Sequence, residues 1–212
     1  AGQRAAAVAV ALAVRRPAPE GAERVVDDLT VVANAYDSAG KRRASDRMTG
    51  RVVLRPGSGG VAVFEMLSRL DLEPGRYQLR LAVESSLQHK SGSVYCDLDV
   101  PDFRRSPLSL SGVVVSATPG IVAGRKEVVA SLIPVVPTAV REFDADQQVT
   151  AFLRVYEGGT SAPAPVAVTA RILDGNGATV FETAETLAPD RFSNARSADY
   201  RLDLPISRLA PG

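Results

Sequence analysis

The chain contains one histidine and one cysteine, the residue types most often used in nucleophilic and metal chemistry. His89, with Ser91 and Ser93 nearby, could act as a general base beside a hydroxyl nucleophile. The sequence places these residues at a hairpin tip, where solvent surrounds the imidazole and no carboxylate is evident to orient it. Cys96 has no second cysteine, and one cysteine with one histidine cannot form a structural zinc site. We predict an exposed turn at His89, a small core or half-buried residue at Cys96, and no catalytic residue, metal or cofactor.

Two acidic stretches, 142–146 and 174–177, supply oxygen ligands of the kind that Ca²⁺ accepts. Neither has the roughly six ligands at loop spacing that a dedicated Ca²⁺ site requires. We interpret Asp174-Gly175-Asn176-Gly177 as a hairpin turn. Asp144 and Asp146 are interpreted as a solvated approach to a strand, with an interdomain Ca²⁺ ion as the alternative.

The densest positive stretch is Lys41-Arg42-Arg43, followed by Arg47 and Arg51. It has no interleaved aromatic residues, and the formal net charge of the chain is only +1, so we predict no nucleic-acid partner. A solvated edge strand explains these charges instead. The glycine-rich run 57–60 is not followed by Lys-Ser/Thr or by a helix start, so it is predicted to be a turn and not a phosphate-binding loop.

Hydrophobic residues recur at every second position along the chain, and no window keeps a helical period. The longest apolar run, 5–14, is too short to span a bilayer and has the same period of two. Clusters of Gly, Asp and Pro separate the runs, so the sequence predicts an all-β fold. The predicted strands are 6–14, 29–36, 51–55, 61–67, 77–83 and 93–100 in the first half, and 108–117, 128–136, 149–156, 166–173, 179–183 and 200–206 in the second.

The two halves of the chain also repeat each other at an offset of 137 residues. Residues 31–33, followed by an aspartate and a glycine, match residues 168–170, and Leu72-Glu73-Pro74-Gly75 matches Leu209-Ala210-Pro211-Gly212. The 212 residues are enough for two small domains. We predict two tandem β-sandwich domains of immunoglobulin or fibronectin type III shape, 1–103 and 104–212, with a short polar joint at 104–107.

Four residues of the first copy, Leu72, Pro74, Gly75 and Tyr77, have the pattern of the corner between sheets in immunoglobulin-like sandwiches. In that corner a tyrosine at the start of the penultimate strand donates its hydroxyl to nearby backbone. The hydrogen bond lets a mostly buried ring end in a satisfied polar group. We predict that Tyr77 makes this hydrogen bond.

After this corner the first copy continues through a hairpin to residue 100, whereas the second copy has no matching residues after 212. A sandwich without its last hairpin would expose strand edges. Three explanations are open: the chain is a fragment whose parent continues, another chain or a swapped segment supplies the strands, or the second domain closes differently. Strand exchange predicts that residues 104–212 alone are unstable or oligomeric.

The chain resembles the region downstream of the von Willebrand factor A-type domain in bacterial VWFA-related proteins. The resemblance covers most of the chain and consists mainly of strand and turn patterns. The matching stretches are 72–80, 92–95, 100–103, 108–112, 141–143, 199–205 and 209–212.

The resemblance implies an exported protein with an adhesive or protein-interaction role, located in the periplasm, at the cell surface or outside the cell. The Asp-x-Ser-x-Ser metal motif of the A-type domain does not occur in the sequence, so its metal site is not transferred to these residues. We expect a non-catalytic structural module that binds a protein partner or other domains of its own parent chain. A carbohydrate- or peptide-binding sandwich is the alternative, although the chain has no Trp and only 5% aromatic residues.

Overall fold

The computed structural model describes residues 5–17, 24–54, 61–118 and 125–211. Almost all regular structure is antiparallel β-sheet, which confirms the predicted all-β fold class. The chain forms two compact units. Unit 1 comprises Ala1–Pro101 with Pro119–Arg141, and unit 2 comprises Asp102–Thr118 with Glu142–Gly212.

The described residues of unit 1 form six long strands in two sheets. The strands are β1 (Ala6–Pro17), β2 (Val25–Asp37), β3 (Arg42–Leu54), β4 (Val61–Leu72), β5 (Gly75–Ser85) and β6 (Lys90–Val100). β1 pairs with β4 in one sheet, and the other sheet has the order β3-β2-β5-β6. All pairings are antiparallel.

The apolar residues at every second position of the strands form the core of unit 1. In β2, Leu29, Val31 and Ala33 are buried while the residues between them are half-exposed. Val10 and Leu70 of the other sheet belong to the same hydrophobic cluster as Ala33, while Leu29 packs with Phe64 and Val31 with Met66 of that sheet. A fully buried side chain of this kind contributes roughly 2 kcal/mol by leaving water, so this alternation explains why the register of β2 is fixed.

The predicted strand at 128–136 is wrong. This region contains a short helix, α1 (Lys126–Ala130), followed by an irregular segment. Pro134 cannot donate to a strand ladder, and the apolar pairs Val128-Val129 and Leu132-Ile133 lie four residues apart, which is a helical spacing.

Residues 125–141, which we call the strap, belong to unit 1 and contact β4. The outward side chain of Leu67 in β4 is 0% exposed, and Val129 of α1 is 1% exposed. Glu65, also on the outward face of β4, accepts hydrogen bonds from the Thr138 hydroxyl (2.5 Å) and the Ala139 amide (2.6 Å). The strap therefore gives β4 a second buried face.

The observed division differs from the predicted domains 1–103 and 104–212, because the strap lies in the second half of the sequence but packs on unit 1. The predicted joint at 104–107 belongs to unit 2. Gly158 donates to the carbonyl of Ser106 (3.1 Å), and Gly159 donates to the carbonyl of Arg104 (3.0 Å). A Cβ at Gly158 would lie 2.3 Å from the Ser106 carbonyl oxygen, so only glycine fits here.

The strands of unit 2 are β7 (Ser109–Leu110), β8 (Val114–Thr118), β9 (Gln148–Tyr156), β10 (Val166–Leu173), β11 (Thr179–Leu187) and β12 (Ser197–Leu204). In one sheet β9 pairs with β12 on one side and with both β7 and β8 on the other, and β10 and β11 form a separate hairpin. The predicted strand 108–117 is divided into β7 and β8. Short 3₁₀ helices occur at Pro189–Arg191 and Ile206–Arg208.

The internal repeat is visible in the backbone. The turn between β2 and β3 and the turn between β10 and β11 have the same four hydrogen bonds, at an offset of 137 residues. In each turn the aspartate, Asp37 or Asp174, accepts from the amides two and four residues ahead, and a glycine with φ of 75° or 82° follows. The pair β1–β4 likewise corresponds to β9–β12.

Candidate functional site

The predicted corner residues meet at the end of β4. The Tyr77 hydroxyl donates to the carbonyl of Glu73 (2.8 Å), and Leu72 is buried in the core of unit 1. Gly75 has a φ of 154°, and a Cβ there would lie 3.5 Å from the Tyr77 hydroxyl oxygen. Pro74 is exposed in the turn. Burial raises the pKa of Tyr77. This arrangement holds the chain where it passes from one sheet of unit 1 to the other.

His89 lies at the tip of the turn between β5 and β6, with a φ of 52°. Ser91 and Ser93 follow on β6, and all three residues are exposed. Among the residues that the structure describes, none hydrogen-bonds the imidazole, so no group orients it for proton transfer.

Cys96 is exposed, so the prediction of a core or half-buried cysteine is wrong. It lies opposite the buried Leu79 of β5, on the same face of the sheet. β6 is an edge strand, and the other sheet of unit 1 has two described strands, which leaves the part of β6 with Val94 and Cys96 uncovered, whereas Val100 at its end is buried. Val94, on the same face, is 53% exposed for the same reason.

The two acidic stretches lie in a hairpin turn and in the segment before a strand. Asp174 uses its carboxylate to hold its own turn, as predicted for a hairpin. Asp144 and Asp146 are exposed residues before β9, as the sequence indicates. Within the described ranges there is no group of three or more His, Cys, Asp or Glu residues that could hold a metal ion.

The basic stretch lies on β3, which is an edge strand as predicted. Arg43 pairs with Asp37 (2.6 Å) and Arg51 pairs with Asp28 (2.8 Å), so part of the positive charge is used within the sheet. The arginine hydrogen bonds lower the pKa of Asp28. The glycine-rich turn predicted at 57–60 lies outside the described residues.

A buried carboxylate at Asp27 connects the start of β2 with the end of β5. It forms an ion pair with Arg16 and accepts from the Ser85 hydroxyl (2.6 Å) and the Leu87 amide (3.0 Å). Desolvation alone would raise the pKa of Asp27, but these hydrogen bonds and the arginine charge outweigh it and lower the pKa. This network was not predicted, although Asp27 has the same parity in β2 as the inward Leu29, which is a signal for its burial.

The outer face of the four-stranded sheet carries an open groove of about 670 Å³. Near the β2–β3 turn, the Arg80 guanidinium lies 4.7 Å from the centre of the Tyr36 ring, over its face. Arg76, Gln78 and Asp97 also line the groove. These side chains offer donors, acceptors and one aromatic face to a solvent-accessible ligand.

The most unusual surface of unit 2 is the edge of β10. Its counterpart β2 pairs with β3 on one side and β5 on the other, whereas within the described residues β10 pairs with β11 alone. Four inward residues of β2 are at most 3% exposed, but the corresponding residues of β10 are only half-buried. The matched inward residues are Leu29 and Val166, Val31 and Val168, Ala33 and Ala170, and Ala35 and Ile172.

No protein-family model and no curated protein matches the sequence. In the described part of the chain, no helix is long and apolar enough to cross a membrane. Assignment of a function therefore depends on the geometry of the two units.

Proposed function

We propose that the chain is a non-catalytic structural and protein-interaction module, of adhesion type, within a larger exported bacterial protein. The observation that carries this proposal is the sheet architecture that the two units repeat, with the same turn between the matching strands. The reactive side chains do not converge: His89 and Cys96 are exposed and separate, while Asp27 and Glu65 are used to join segments of unit 1.

The strand order supports an immunoglobulin- or fibronectin III-like sandwich for each copy. In unit 1 a β1–β4 pair accompanies a β3-β2-β5-β6 sheet, and the tyrosine corner precedes the penultimate strand. Such modules serve as spacers and binding platforms on many exported proteins, and the resemblance to the region downstream of A-type domains favours the same role here.

Localisation tests the exported role. Antibodies against the chain should detect it outside the cytoplasmic membrane of the producing bacterium, and protease added to intact cells or spheroplasts should digest it while a cytoplasmic marker stays intact. The purified chain immobilised on beads should retain envelope proteins in a saturable manner. A cytoplasmic, protease-protected protein would contradict the proposal.

The groove of unit 1 favours a second candidate, a carbohydrate- or peptide-binding module. Arg80 and Tyr36 form its only described cation–π pair and would contact such a ligand. Binding on glycan and peptide arrays should be lost in Arg80→Ala and retained in Arg47→Ala, because Arg47 is an exposed arginine of β3 that does not line the groove. Equal binding by both variants would remove this candidate.

A further inference from the structure

The groove on the outer face of the four-stranded sheet contains an arginine that is held in position but not neutralised. The Arg80 guanidinium lies over the Tyr36 ring, and its Nε donates to Oε1 of Gln78 (2.8 Å). Within the described residues no carboxylate pairs with Arg80, whereas Arg76 in the same groove pairs with Asp99 (3.7 Å). The two Nη groups of Arg80 are therefore available to a ligand.

An exposed aromatic side chain lies beside this arginine. Tyr95 of β6 is directly opposite Arg80 of β5, and opposite residues of antiparallel strands carry their side chains on the same face, with Cβ atoms about 5 Å apart. Tyr95 is 75% exposed. Of the five Tyr and six Phe residues, all within the described ranges, only Tyr95 is exposed. Its ring is therefore open to contact at the border of the groove.

The groove also offers an acceptor, and a ligand there meets side chains only. Asp97 lies opposite Gln78, and the described residues give it no hydrogen bond or ion pair. Because β5 is paired with β2 on one side and β6 on the other, its backbone groups are used within the sheet, and an extended peptide has no strand edge to bind here. Planar polar side chains beside an exposed ring suit the hydroxyl groups and the apolar ring face of a sugar.

We propose that this face of unit 1 binds a glycan through one acidic sugar, that is, a sugar that carries a carboxylate. The inference rests on the second candidate function, carbohydrate binding in the groove, and names the ligand class. The sugar carboxylate accepts from the two Nη groups of Arg80, sugar hydroxyls donate to Asp97, and the sugar ring contacts Tyr95. A densely charged polyanion does not fit, because Asp37, Asp97 and Asp99 line the same groove and would repel it.

Titration calorimetry of the chain of residues 1–212 tests the ligand class. The probes are trisaccharides that end in one glucuronic, galacturonic or sialic acid residue, and the matched controls are the same trisaccharides with the carboxylate reduced to an alcohol. At least one acidic probe should bind saturably, and its reduced form should bind about tenfold more weakly or worse. A glutamate residue blocked at both ends, which has a carboxylate but no sugar, should not bind. The proposal is overturned if no acidic probe binds, or if the reduced probe or the blocked glutamate binds equally well.

Variants at exposed residues locate the site. Arg80→Lys keeps the positive charge but loses the planar pair of Nη donors, so it should bind the acidic probe about tenfold more weakly. Tyr95→Ala should weaken binding about fivefold. Arg47→Ala, at an exposed arginine outside the groove, should bind as the unchanged chain does, and equal binding by Arg80→Lys and Arg47→Ala would overturn the proposal.

The outcomes separate this inference from the functions on which it depends. If the glycan and peptide arrays show no binding at all, the second candidate function fails together with the inference. If neutral glycans or peptides bind in the groove and acidic sugars do not, only the inference fails. None of these results bears on localisation, so the exported role is tested independently.

Discussion

Removing the carboxylate of Glu65 should detach the strap from β4. Glu65 is 3% exposed and accepts two hydrogen bonds, from the Thr138 hydroxyl and the Ala139 amide. Hydrogen bonds to a charged group contribute about 1.5–3 kcal/mol each, and desolvation of the carboxylate offsets part of the sum. We therefore expect Glu65→Ala to lower the free energy of unfolding of unit 1 by about 3 kcal/mol and Glu65→Gln, which keeps one acceptor, by about 1 kcal/mol.

Urea denaturation of the full chain measures these changes, and hydrogen exchange locates them. The Ala139 amide should lose protection in Glu65→Ala, while the amides that pair β2 with β5 should keep theirs at low denaturant. Glu84→Ala is the matched control, because Glu84 is an exposed glutamate on β5. If Glu65→Ala and Glu84→Ala unfold at the same urea concentration, or if Ala139 stays protected, the two hydrogen bonds do not hold the strap.

Three further predictions concern the stability contributed by two buried tyrosines and by Leu67. Tyr77→Phe removes the hydroxyl bonded to the Glu73 carbonyl and should cost about 1 kcal/mol in urea denaturation, whereas Tyr95→Phe, at a residue 75% exposed, should cost nothing measurable. Burial raises the pKa of Tyr77 and of Tyr200, so both phenols contribute stability at any pH below their unfolded pKa of about 10. This contribution should be lost as the pH rises above that value, and the melting temperature should fall between pH 8 and about 12. A melting temperature independent of pH would contradict this. Leu67→Ala should cost about 3 kcal/mol by calorimetry because Leu67 is fully buried beneath the strap, and a loss as small as that of Leu87→Ala, at a residue 49% exposed, would be inconsistent with that burial.

The strands and the repeat were predictable from the sequence because alternation and turn chemistry are local. The period of two identified β2 and β10, and the shared Asp-x-x-Gly turns gave the offset between them. Edge strands were harder: the apolar alternation marks β3 only from residue 51, and its first part from Arg42 is indicated by charged residues alone, because a charged edge strand has few apolar residues.

The strap, the exposure of Cys96 and the role of Glu65 could not be predicted in the same way. Each depends on which strand lies opposite, and a single sequence does not give that information. Val128 and Val129 have high β-propensity, but tertiary packing on β4 and Pro134 override it. Cys96 is exposed because the facing sheet has two described strands. The sequence pattern of β6 does not reveal how many strands face it.

Because the strap belongs to unit 1, the segments of the two units alternate along the sequence and therefore along the gene. Unit 1 needs Pro119–Arg141, but Asp102–Thr118 of unit 2 is encoded before it. On the ribosome, β4 therefore keeps Leu67 uncovered until residues of the other unit have already emerged, and β8 must wait for β9. In evolution, a recombination event that exchanges one intact unit has to join the DNA at three internal positions instead of one, so we expect these units to be inherited together.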